Sequence, residues 1–390
     1  MMKRKRRSIG ILLLLVASVS LSGCWSYKSL EHLTYVLSLG VDYQDGNYIL
    51  YVQIPNFTSI SKTEGAGQSE NAAPIYVGKG IGKTFNLAIF DLYHTLQRRL
   101  FWSHISSLVF TEAAAKKGVN EVIDLLQRYG EIRPTFWVYT TDERIEDLLL
   151  ATHVFDPSPV YSKLGDPSDM NKQDSYPVLP YRLHRFTAMM REPMHTLIIP
   201  SLGTDKSKWF DEKKKYRVML FDGYSVVIGD KWVGKMTYLQ SRGLLWLNRE
   251  LVRAPLPISL GEDKIFTVVI MKPKMKIKPF VSEGELRFSI DIKLKGHITQ
   301  IMGCMSEEEI KRAASENVKK QVMTTFQAGI DLDADVLNLL DVLYRHHQKL
   351  WRQFSKQGEL KLTADSLHDV NVKIDIVQYG KKVYYGKKVY

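Results

Sequence analysis

The first 24 residues constrain this chain more than any later stretch, because they decide where its fold must assemble. Five cations (Lys3, Arg4, Lys5, Arg6 and Arg7) precede an apolar run from Ile9 to Leu21 that only small residues interrupt. A helix needs about 20 apolar residues to cross a bilayer. This run is shorter, and its basic flank is that of the h-region of a cleaved export signal. Residues 1–23 are therefore predicted to be a leader that takes no part in the mature fold. Arg6-Arg7 is followed by Ser8-Ile9-Gly10, which does not continue a twin-arginine pattern.

The run closes on Leu21-Ser22-Gly23-Cys24, which resembles the lipobox of bacterial lipoproteins. That resemblance implies a diacylglycerol on the sulfur of Cys24, cleavage just before it, and further acylation of the new N-terminus. Two or three acyl chains hold far more firmly than one, since each buried methylene contributes about 0.8 kcal/mol. The competing reading is an ordinary secretory signal with a chance cysteine.

Without the leader, 367 of the 390 residues remain, enough for two or three domains of roughly 100–200 residues. Hydrophobic residues make up 45% and charged residues 25%, values of a globular protein with a sizeable core. The formal charge falls from +12 to +7 without the leader cations, and much of the surplus lies in the repeated tail Tyr379–Tyr384 and Tyr385–Tyr390. We read the second copy as a small duplication, with contact to anionic lipid as its functional alternative. Basic stripes interleaved with aromatics are otherwise missing, which argues against nucleic acid. Cys24 and Cys304 are the two cysteines. With the first assigned to lipid, no disulfide within the chain is predicted, and Cys304 reads as a small buried hydrophobe.

Thr34–Val41 and Tyr48–Ile54 read as strands around the turn chemistry of Asp45-Gly46-Asn47, so a hairpin is predicted. The Ser/Gly/Asn/Ala-rich stretch 56–74 reads as a mobile loop. Ile75-Tyr76-Val77 is a short strand leading into Gly78-Lys79-Gly80-Ile81-Gly82-Lys83-Thr84. A phosphate loop would need glycine five places before Gly82, where Val77 stands, so a glycine turn with Thr84 capping the next helix is predicted. Phe85, Ala88, Ile89, Leu92 and Leu96 then form one helical stripe. Ile105–Phe110 is a strand, 112–117 and 120–129 a broken helix, and Pro134–Tyr139 another strand. Thr140 with Glu143 suggests a capping box for a helix through Leu150. Strands alternating with helices after a hairpin predict an α/β domain with a mixed sheet over 24–204.

The proline-rich stretch 156–180 reads as an irregular excursion and Ala188–Leu202 as a last strand. The lysine-rich 205–216 marks a boundary. Val218–Ile228 and Trp232–Met236 form a hairpin around Gly229-Asp230, followed by a helix over about 238–250. These pieces are too short for a large core, so 205–261 is a small middle domain or the edge of a neighbour. From 262 to 390, three strands (Ile265–Met271, Met275–Val281 and Glu285–Gly296) precede a helix announced by Ser306, Glu309 and the staple pair Met305 and Ile310. Its apolar face is Ile310, Ala314, Val318, Val322 and Phe326. A second helix over Asp335–Phe354 and a strand over Val370–Val377 complete an α+β domain with a largely antiparallel sheet.

No catalytic set emerges. H-E-x-x-H and G-x-S-x-G are missing, and adjacent His346 and His347 cannot share a metal as i, i+4 ligands do. Ser59-Ile60-Ser61-Lys62 matches S-x-x-K, but it lies in a loop and lacks its companion elements. Glu307-Glu308-Glu309 reads as an acidic first turn that the helix dipole favours. No cofactor or metal site is predicted.

Several segments together resemble the C subunit of spore nutrient germinant receptors, the Ger(x)C family. They are Cys24-Trp25, Leu39-Gly40-Val41-Asp42, Phe101-Trp102-Ser103-His104 before Leu108-Val109-Phe110, and Glu131-Ile132-Arg133-Pro134. Trp232-Val233-Gly234, Arg242-Gly243-Leu244-Leu245-Trp246, Lys349-Leu350-Trp351 and the strand before Gly380 continue the series. The departures are the stretch 157–180 and the repeated tail. The resemblance implies a three-domain, non-enzymatic lipoprotein on the outer face of the spore inner membrane. There it would act with two integral-membrane subunits, A-type and B-type, to trigger germination. For Phe101–His104 and Gly243–Leu247, core packing is favoured over partner contact. The rival functions are a solute-binding lipoprotein of a transporter, against which the strand-rich C-terminal half argues, and a cell-wall hydrolase.

Overall fold

The computed structural model describes residues 33–56, 75–151, 160, 162–168, 175–212, 214–303, 305–355 and 360–377. Residues 1–32, with the predicted leader and Cys24, residues 57–74, Cys304 and the repeated tail lie outside the described residues, as does much of the stretch 156–180. Two sheets organise the molecule, and its fold is mixed α/β with an α+β C-terminal part, in line with the sequence.

The N-terminal sheet has nine strands. Ser38–Gln44 (β2) pairs antiparallel with Asn47–Pro55 (β3), which pairs antiparallel with Ile75–Gly82 (β4). On its other side β2 runs parallel to Ser107–Thr111 (β6), which runs parallel to Trp137–Thr141 (β7). Thr196–Asp205 (β9) joins β7 in parallel, and Val218–Ile228 (β10) and Lys231–Thr237 (β11) extend the sheet antiparallel. A two-residue strand, Tyr181–Arg182 (β8), also pairs with β7. The first predicted strand is divided: Leu33–Tyr35 (β1) pairs with Arg99–Phe101 (β5) as a separate ribbon. Asp45 and Gly46 both have positive φ, 49° and 74°, the requirement of a two-residue hairpin turn.

The glycine run corrects the predicted turn, because it is strand throughout. Gly78, Gly80 and Gly82 occupy alternate positions beneath helix α1 (Phe85–Tyr93). A Cβ on Gly80 would come within 2.1 Å of the Ala88 carbonyl oxygen, and one on Gly82 within 2.5 Å of the Ala88 nitrogen. The glycines let the helix lie on the strand. Thr84 caps it as expected, accepting a hydrogen bond from the Leu87 N–H at 3.2 Å. Helices Glu112–Lys117 (α2) and Asn120–Arg128 (α3) cover the same sheet face with Ala114, Ala115, Val122, Ile123 and Leu126. The expected Thr140–Glu143 capping box is not formed. Thr140 donates to Ser225 Oγ inside the sheet at 2.7 Å, and the Glu143 carboxylate takes the N–H and hydroxyl of Thr204, each at 2.7 Å. The short helix Ile145–Leu149 (α4) packs on the opposite face. The stretch read as strand from Ala188 begins as helix, Leu183–Met190 (α5), and becomes strand at Thr196.

Residues 205–261 are divided between the two bodies. Their hairpin continues the N-terminal sheet, while Tyr238–Ser241 (α6) and Gly243–Leu247 (α7) replace the single predicted helix. Leu244, Leu245 and Trp246 belong to the C-terminal core.

The C-terminal sheet has the order Ala254–Ser259 (β12), Ile265–Ser282 (β13), Glu285–Met302 (β14), Leu367–Ile376 (β15). Its first two pairings are antiparallel and the last parallel. Two predicted strands are thus one, irregular between Met271 and Lys274 around Pro273. β12, which contains Pro255 and Pro257, was not predicted. On an edge, an absent N–H can face away from the ladder. One face is covered by Glu307–Asp331 (α8), whose Ile310, Ala314, Val318, Val322 and Phe326 are all buried. Five such side chains contribute on the order of 10 kcal/mol of burial energy. The predicted Ser306–Glu309 capping box is formed. The second helix breaks at His347 (φ −133°) into Leu339–His346 (α9) and Gln348–Phe354 (α10).

Candidate functional site

The seam between the two bodies gathers the least ordinary chemistry. It is built where β9 begins, directly after His195, and where Asn338 turns the chain into α9 with φ 54°. The Thr196 N–H donates to Asn338 Oδ1 at 2.8 Å, and Asn338 Nδ2 donates to the Thr196 carbonyl at 3.2 Å. Beside this clasp a chain of charges crosses the seam. Glu192 meets Arg345 at 3.1 Å, Arg345 meets Asp341 at 2.6 Å, and Asp341 Oδ2 lies 3.4 Å from His195 Nδ1.

The carboxylate beside Nδ1 favours a proton on that nitrogen and leaves Nε2 as an acceptor. Burial lowers the His195 pKa below its ordinary value, against the opposing pull of Asp341. Asp335, on the same seam, is pushed up to about 6 by burial, although its Oδ2 accepts the Leu340 N–H at 2.7 Å. A cavity of about 240 Å³ separates these groups, lined by Met194, Ile330, Leu340 and Leu362 as well as His195 and Asp335. The arrangement is a set of polar contacts that clasps the start of β9 to the start of α9. Among the described residues it holds no nucleophile paired with a base.

A second cleft, of about 600 Å³, opens at the carboxyl ends of β2, β6 and β7, where open α/β sheets commonly bind ligands. Here every carboxylate is engaged. Asp42 accepts from Thr111 Oγ1 at 2.5 Å, Glu112 pairs with Lys116 at 2.6 Å, and Lys235 bridges Asp142 and Asp222 at 2.9 Å each. Among the described residues no group of three His, Cys, Asp or Glu is arranged to hold a metal, and His346 and His347 are exposed.

Of the residues singled out in the sequence, Cys24 and the Ser59–Lys62 motif lie outside the described residues. Trp102 is buried and donates to the Tyr93 hydroxyl at 3.0 Å, while His104 meets Tyr35 edge-on at 5.1 Å. The Gly243 N–H donates to Thr325 Oγ1 at 2.9 Å, and Trp246 Nε1 to Gln321 Oε1 at 2.9 Å. Both motifs are thus engaged in packing. Sequence reasoning missed Thr196, Asn338, His195 and Asp341. Asn338 before a helical run was the one local signal.

Two family models match the chain. Residues 26–204 match the spore germination protein N-terminal domain, and residues 222–380 the spore germination B3/GerAC-like C-terminal domain. Among curated relatives, all of Bacillus subtilis strain 168, spore germination protein KC is 21% identical with 96% of each chain covered. Spore germination protein B3 is 22% identical, with 91% of this chain and 94% of the relative covered. The crystal structure of the GerBC protein superposes with a TM-score of 0.53 at 15% identity, covering 87% of this chain and 96% of that one. Among the described residues no helix is long and apolar enough to cross a membrane.

Proposed function

The chain belongs to the Ger(x)C family of spore germination proteins, and from that membership we propose that it is a membrane-tethered, non-enzymatic subunit of a nutrient germinant receptor. Cys24 carries the lipid, and the folded body stands on the outer face of the spore inner membrane. The body serves assembly with an A-type and a B-type integral-membrane subunit, so that nutrient arrival triggers germination. The observation that carries this reading is the order of parts: the family match starts at residue 26, two places after the lipobox cysteine. A span-length apolar segment is not needed when acyl chains hold the body to the bilayer. The engaged carboxylates of the strand-end cleft support a structural rather than a catalytic role.

Replacing Cys24 with Ala tests the tether. The variant should accumulate with its leader uncleaved, and spores carrying it should respond more weakly to nutrients. Normal processing together with unchanged germination would overturn the proposal.

A further inference from the structure

The face of the C-terminal sheet turned away from α8 carries six exposed lysines: Lys274, Lys276 and Lys278 on β13, Lys293 and Lys295 on β14, and Lys373 on β15. The register places three of them in one row. Lys274 is directly opposite Lys293, and Lys293 directly opposite Lys373. Side chains so placed have Cβ atoms roughly 5 Å apart, and like charges there oppose folding. The carboxylates nearby do not cancel this. Asp291 is taken by Lys278 at 2.5 Å and Asp369 by Lys319 of α8 at 2.7 Å, leaving Asp375 opposite Lys295. The other five lysines make no ion pair within 4.0 Å among the described residues.

Protection of a sheet edge does not explain the middle of the row. Lysine on an edge strand discourages pairing with other chains, and that accounts for Lys373. The stretch of β13 that carries Lys274, Lys276 and Lys278 lies beyond the end of β12 and is also an edge, but β14 is paired on both sides at Lys293 and Lys295. A solvated sheet face needs polar residues, and mixed signs would meet that need without repulsion. The row instead fits a ligand that brings many negative charges on a broad surface.

We propose that this open face docks on an anionic phospholipid bilayer, its lysines meeting the phosphate-bearing headgroups. The inference rests on the reading that the body is held beside a membrane. A tether brings the two surfaces together, and each lysine near an anionic surface adds about 1 kcal/mol, or roughly fivefold in affinity. The face would then set how the tethered body is turned toward its membrane.

The test uses the chain from residue 25 onward, expressed without its leader and so without acyl chains. Its outcome is therefore independent of whether Cys24 is lipidated. The unmodified body should sediment with phosphatidylglycerol vesicles, not with phosphatidylcholine vesicles, and binding should fall as salt rises. The triple variant Lys274→Gln, Lys293→Gln, Lys373→Gln should bind about a hundredfold more weakly, while the matching triple Lys→Arg variant should bind as before. The Gln variant should melt at the same temperature as the parent or higher, since removing repulsion cannot unfold the sheet. Failure to bind phosphatidylglycerol, or binding that the Gln variant retains, overturns the proposal. So does tighter binding of a polyglutamate peptide than of vesicles, which would assign the face to an acidic protein partner.

Discussion

Asn338 and Thr196, 142 residues apart in sequence, share two hydrogen bonds of 2.8 and 3.2 Å, so that one carboxamide completes the backbone of β9 where its ladder begins. Replacing Asn338 with Gly keeps the left-handed backbone and removes the clasp, at a cost of about 2 kcal/mol for two hydrogen bonds. Replacing it with Ala should add a further ~1 kcal/mol, because Ala tolerates φ 54° poorly. Urea unfolding of the three proteins checks the order Asn, Gly, Ala. Equal stability of all three would show that the clasp holds nothing.

This clasp also marks what the sequence could not disclose. Contacts set by neighbours in the chain were legible: Ser306 with Glu309, Thr84 ahead of Phe85, and the Asp45-Gly46 turn all form. Contacts that depend on distant partners were not. Gly78, Gly80 and Gly82 look like a turn until α1 is laid across them. Thr140 was expected to cap a helix, and its true partner, Ser225, lies 85 residues away.

Gly80→Ala should strain the contact with α1. The new methyl would meet the Ala88 carbonyl oxygen at 2.1 Å, a backbone atom that cannot rotate aside. A loss of about 3 kcal/mol is expected, the upper part of the range for overpacking. Gly130→Ala, where nothing lies within 4 Å, should stay within about 0.5 kcal/mol of the parent. Thermal unfolding of the pair decides it.

The seam should make stability depend on pH through Asp335. Burial raises its pKa from 3.8 to about 6, so the folded state favours the protonated acid. Its contribution is full below pH 3.8 and is lost as pH rises through about 6, at a cost on the order of 3 kcal/mol. Asp335→Asn should remove this dependence while keeping an acceptor for the Leu340 N–H. His195 acts in the opposite sense. Its lowered pKa means that its contribution is present above about pH 6.5 and is lost as pH falls below that value. The unfolding free energy of the parent relative to that of Asp335→Asn should fall between pH 5 and pH 7.5, a difference in which the His195 contribution, common to both proteins, cancels. Parallel profiles would contradict the assignment.

Purifying the tagged protein from spore membranes, then analysing its N-terminal peptide and its companions together by mass spectrometry, addresses the account as a whole. The account predicts a peptide beginning at acylated Cys24, recovered with two multi-pass membrane subunits. An unmodified N-terminus in a preparation free of both subunits would contradict it.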